Sequence, residues 1–70
     1  MESTFLSIDP DVMGGAPVFA GTRVPIRTLT EHLEAGDTID DFLDGFPSVS
    51  RAQVIAFLEA AAMRVRELAA

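Results

Sequence analysis

Ser50-Arg51-Ala52-Gln53-Val54-Ile55-Ala56-Phe57-Leu58-Glu59-Ala60-Ala61-Ala62-Met63-Arg64-Val65-Arg66-Glu67-Leu68 reads as one helix with a marked beginning. Ser50 suits the N-cap, and Gln53 stands three residues on, where its amide can complete a capping box. Val49 before the cap can staple onto Val54. Val54, Phe57, Leu58, Ala61, Ala62, Val65 and Leu68 then recur at three- and four-residue steps, an apolar stripe of helical period. The spacing predicts a helix over 50–68. That length exceeds what so small a core needs, so its far end is expected to pack on something outside the monomer.

Upstream, Thr38 is the expected N-cap of a short middle helix, with Asp40 and Asp41 in its first turn, where carboxylates meet the positive end of the dipole. Ile39, Phe42, Leu43 and Phe46 supply its apolar face, and Gly45 with Pro47 is expected to end it. A first helix is expected from Pro25, a residue suited to the first helical position, to Ala35, with Gly36 stopping it. Ile26, Leu29 and Leu33 form its buried side. Ahead of these, residues 1–24 read as extended. A strand is expected over 4–8, and short strands over 17–19 and 23–24 flank an Ala20-Gly21-Thr22 turn. A hairpin this small is barely stable alone, so it must lie on the helices or pair with another chain. The expectation is a single, mainly α domain over 1–70, with three helices over 25–70 and a short N-terminal β-segment.

Seventy residues bury only about 60% of the surface that the unfolded chain exposes. With no cysteine, disulfides cannot supplement that core, and a single histidine leaves no zinc site. Oligomerisation or a partner is the remaining source of buried area, and the 49% hydrophobic content agrees. The polar, acidic start and the lack of a long apolar run point to a cytoplasmic protein with no membrane segment. The net charge of −6 is uneven. Residues 1–47 set nine acids against Arg23 and Arg27, whereas 48–70 set Arg51, Arg64 and Arg66 against Glu59 and Glu67. Such a chain repels phosphate and suits a basic protein partner; the plainer reading is that the acids keep an apolar domain soluble.

Two helices joined by a tight turn, with a third before them, match the outline of a helix-turn-helix module. Ser48, Ser50, Arg51 and Gln53 would then face the major groove, where Arg can read guanine and Gln adenine. The chemistry is thin, because there is no Lys and the capping box already claims Gln53. Catalysis is not expected. Asp9 with Asp11, and Asp37 with Asp40 and Asp41, have no room for a cleft that would shift their pKa values. His32 reads as exposed or half-buried between Glu31 and Glu34, and Gly14-Gly15 lacks the spacing and Lys of a phosphate loop. No cofactor is expected.

Ile8-Asp9-Pro10-Asp11-Val12-Met13-Gly14-Gly15-Ala16-Pro17-Val18-Phe19, followed by Gly21-Thr22-Arg23-Val24-Pro25, resembles the opening of a small prokaryotic family known as domain of unknown function 433. Leu33-Glu34-Ala35-Gly36, Phe42-Leu43-Asp44-Gly45-Phe46-Pro47 and Leu58-Glu59-Ala60-Ala61 extend the resemblance over about residues 5–62. Gly14, Gly15, Pro17, Gly21, Thr22, Arg23 and Pro25 form its most specific run. The resemblance implies a homeodomain-like helix-turn-helix with an N-terminal β-segment. It also implies a VapB-like antitoxin, encoded beside a PIN-like ribonuclease toxin that it neutralises. The short tail after residue 62 is expected to lack any additional extension that other members carry.

In physical terms, glycines at 14, 15 and 21 allow φ > 0 where the chain reverses, and Pro17 and Pro25 fix φ at either end. Arg23 sits between them, either bonded to nearby carbonyls and acids or reaching into a nuclease's carboxylates. The expected assembly is a homodimer paired through its N-terminal strands. Asp37, Asp40, Asp41 and Asp44 could imitate RNA phosphates on the toxin. Alternatively, Arg23, Arg64 or Arg66 could pair with its metal-binding acids. Operator DNA, bound together with the toxin, is a further expected partner. The alternatives are a DNA-binding regulator without a toxin, or a non-catalytic structural adaptor.

Overall fold

The computed structural model describes residues 5–69; Thr4, expected to open the first strand, and residues 1–3 and 70 lie outside that range. Two short strands precede three helices. Strand β1 (Leu6–Ser7) pairs antiparallel with β2 (Val18–Phe19), in a register that sets Leu6 against Phe19 and Ser7 against Val18. A single bridge joins Val18 to Pro25 on the other side of β2. The expected 17–19/23–24 ribbon is therefore present as a bridged turn, with Phe19 N–H donating to Val24 C=O at 3.0 Å. Its regular strand partner is the earlier segment of the same chain.

Helix α1 (Ile26–Glu34) begins one residue later than the sequence suggests. Pro25 takes ψ 146°, extended rather than helical, because it still belongs to the bridge with Val18. The helix closes at Ala35, and Gly36 takes φ 92°, a left-handed conformation that glycine adopts without strain. Helix α2 (Ile39–Gly45) carries the full capping box: Thr38 Oγ1 accepts the Asp41 N–H, and the Asp41 carboxylate accepts the Thr38 N–H, each at 3.1 Å. Gly45 is not its terminator. It is the last helical residue, without a left-handed φ, and Phe46 caps the helix ahead of Pro47.

Helix α3 (Arg51–Ala69) starts as its sequence predicts. Ser50 Oγ accepts the Gln53 N–H at 3.1 Å, and Gln53 Oε1 accepts the Ser50 N–H at 2.9 Å. The core is small: Phe19 of β2, Leu29 of α1, Phe42 of α2, Val49 of the turn before α3, and Val54 of α3 are buried together. The Phe42 ring lies 6.1 Å from that of Phe19 and 4.9 Å from that of Phe46. Phe57 and Leu58 still pack against this cluster. Beyond them α3 leaves the body of the domain, with Val65 62% and Leu68 70% exposed. No helix among the described residues is long and apolar enough to cross a membrane.

Candidate partner-binding site

The turn after β2 is built from the most specific run in the sequence. Gly21 takes φ 77°, which a side chain at Cβ would disfavour. Thr22 then fixes the reversal: its hydroxyl donates to Phe19 C=O at 2.8 Å and accepts the Val24 N–H at 3.0 Å. Ala20 N–H donates to Phe5 C=O at 2.9 Å, and the Gln53 side-chain amide donates to Ala20 C=O, also at 2.9 Å. The turn is thus held by its own Thr, by the N-terminal segment and by α3.

Arg23 stands on this fixed turn with its side chain exposed. No hydrogen bond or ion pair joins it to another described residue. The local pairing with carbonyls or acids, one of its two sequence readings, is not formed. The Thr22 hydroxyl meets Phe19 C=O and the Val24 N–H, and the Arg23 guanidinium faces solvent. Pro17 serves the same scaffold, its carbonyl accepting the Ile26 N–H at 2.9 Å.

Gly14 and Gly15 shape a second projection. Met13, Gly14 and Gly15 all have positive φ (51°, 66° and 89°) in a tight turn that leaves Met13 48% exposed. The Asp9 carboxylate accepts the Asp11 N–H at 2.8 Å, an arrangement that starts this reversal and accounts for an Asp at position 9.

The residues considered for DNA contact divide. Ser48, Ser50 and Arg51 are exposed around the start of α3. Arg51, however, is ion-paired with Asp40 of α2, and both amide atoms of Gln53 are occupied, one by the cap and one by Ala20. Three of the four aspartates considered as phosphate mimics are similarly engaged. Asp41 closes the capping box, Asp40 holds Arg51, and Asp37 Oδ2 lies 2.8 Å from His32 Nδ1. Asp44 is exposed with no such bond. Arg64 pairs with Glu67 at 3.1 Å along α3, while Arg66 is unpaired among the described residues.

His32 has more structure around it than its sequence position suggests. It lies in the last turn of α1, edge-on to Phe42 and Phe46 at 5.7 and 5.6 Å. With Thr28, Glu31, Ala35 and Asp37 it lines a shallow surface depression. Ring contacts across two helices leave no local sequence mark, so only the fold reveals them. Among the described residues, no group of three or more His, Asp or Glu could hold a metal ion.

The sequence profile of the protein family of unknown function DUF433 matches residues 6–60, most of the chain and the whole Gly14-to-Pro25 run. The chain belongs to this family. No solved structure matches the chain significantly. A curated protein, the uncharacterized protein y4eO of Sinorhizobium fredii (strain NBRC 101917 / NGR234), is 36% identical over 45 residues. That alignment covers 64% of this chain but 20% of the relative, so the chain matches only about a fifth of the longer protein.

Proposed function

We propose that this DUF433 protein is a non-catalytic recognition module, the antitoxin partner of a PIN-like ribonuclease. In this reading Arg23 is the residue that engages the nuclease's acidic site. One observation carries it: the family's most specific residues build a rigid turn whose exposed, unpaired side chain is an arginine. A scaffold that spends Gly21, Thr22 and Pro25 on fixing one exposed guanidinium suits carboxylate recognition. Arg presents a planar fork for two parallel hydrogen bonds, and a preordered turn lowers the entropy lost on docking. Arg23 is preferred to Arg64 because Arg64 already has Glu67. The aspartates are less suited to imitating phosphates, since three of them serve internal bonds. The test is co-purification of the neighbouring gene's product with wild-type protein and with Arg23→Glu. Capture by the first and loss by the second, with unchanged circular dichroism, supports the reading; equal capture overturns the role of Arg23.

A second reading, operator binding through a homeodomain-like helix-turn-helix formed by α2, the 46–50 turn and α3, draws support from the exposure of Ser48, Ser50 and Arg51. It requires Arg51 to exchange Asp40 for DNA. Gel shifts at low salt with the chain's own upstream region, with and without the nuclease, test it; no retardation in either case ends it.

A further inference from the structure

Helix α3 carries a second apolar seam, which shares Leu58 with the side that packs on the core and continues outward from it. Ile55, Leu58, Ala62, Val65 and Ala69 follow one another at steps of three and four, the spacing by which one helix lies along another. Ile55 is 39% and Val65 62% exposed, Leu58 is half-buried, and Ala62 and Ala69 are exposed. Glu59 and Arg66 stand seven residues apart on the same outer edge of this seam. Neither has a partner among the described residues, whereas Arg64, on the far side, is neutralised by Glu67.

We propose that this seam is the contact for a second copy of the chain, with the two α3 helices antiparallel. Laying Ala62 of one helix against Val65 of the other also sets Leu58 against Ala69. It then brings Arg66 of each copy beside Glu59 of its mate, on both sides of the two-fold axis. The unpaired charges are therefore self-complementary in this orientation. A parallel arrangement leaves them unmatched and crowds both bodies at one end. The antiparallel one places the bodies at opposite ends, and the alanines let the helices approach closely. The contact is small, below the roughly 1,200 Å² of a standard interface, so the dimer dissociates on dilution. It leaves the Arg23 turn outside the contact seam and does not depend on what that turn binds.

Sedimentation equilibrium of the purified chain tests this. The wild type is expected to show a concentration-dependent monomer–dimer equilibrium. Glu59→Arg and Arg66→Glu, each self-repelling, should each raise the dissociation constant at least about tenfold. An equimolar mixture of the two variants should recover wild-type association, because each supplies the charge that the other lacks. Val65→Asp should be monomeric with unchanged circular dichroism. A wild type that remains monomeric at all accessible concentrations overturns the proposal. So does a dimer unmoved by Val65→Asp, as strand pairing would give, or a mixture that fails to recover.

Discussion

The side-chain amide of Gln53, in the first turn of α3, donates to the backbone carbonyl of Ala20 at 2.9 Å, across 33 residues of sequence. The same side chain accepts the Ser50 N–H through its oxygen. One residue therefore starts the last helix and holds the turn that presents Arg23.

Gln53→Ala should cost about 1.5–3 kcal/mol, since it removes a capping bond and leaves the half-buried Ala20 carbonyl without this donor. Gln53→Glu keeps the capping acceptor but sets a carboxylate against that carbonyl, and should cost a similar amount. Urea denaturation measures both. Loss of nuclease capture in proportion to loosening of the 20–25 turn, seen by amide exchange, would tie the clamp to presentation of Arg23.

Phe42 is fully buried at the centre of the ring cluster formed with Phe19, His32 and Phe46. Phe42→Ala should cost about 3–5 kcal/mol, most of the stability available to a domain of this size. Circular dichroism at 25 °C should show a largely unfolded chain. A cooperative melt within a few degrees of wild type would show that the core lies elsewhere.

The glycines make opposite predictions. A Cβ at Gly21 or Gly45 meets nothing within 4 Å, so only backbone conformation decides. Gly21, with φ 77°, should lose about 1 kcal/mol on substitution by Ala. Gly45, helical and without a left-handed φ, should gain about 0.4–1 kcal/mol. Thermal melts of the two variants should move in opposite directions.

The Asp41 carboxyl is held below its ordinary value of 3.8, chiefly because the Thr38 backbone amide donates to it and secondly through the Thr38 side chain. A carboxylate lowered on folding stabilises the folded state above its unfolded value, and that contribution fades as pH falls through the lowered one. Asp41→Asn should therefore flatten the acid limb of a stability–pH curve below about pH 4. A limb of unchanged steepness would show that the bond is not kept in solution.

Much of this was legible in the sequence because helix starts are local. Thr38 with Asp41, and Ser50 with Gln53, are signals contained in four residues, and the helices follow from them. Gly45 misled because a glycine two residues before a proline resembles a terminator, whereas Phe46 takes the cap. The pairing of Leu6 with Phe19, the Arg51–Asp40 ion pair and the Gln53–Ala20 bond join residues far apart in sequence. They depend on how the elements stack, which periodicity does not encode. The site was half visible: the Gly21-Thr22-Arg23 run was marked, but that Arg23 has no partner among the described residues shows only in the folded structure.

The central claim is that an arginine on a fixed turn recognises an acidic nuclease site. Titrating the neighbouring gene's ribonuclease with this protein, wild type and Arg23→Ala, tests it most directly. Wild type should abolish RNA cleavage near stoichiometric addition, and Arg23→Ala should weaken inhibition by about 2–5 kcal/mol, at least about thirtyfold. Cleavage that continues undiminished at excess wild-type protein would contradict the account.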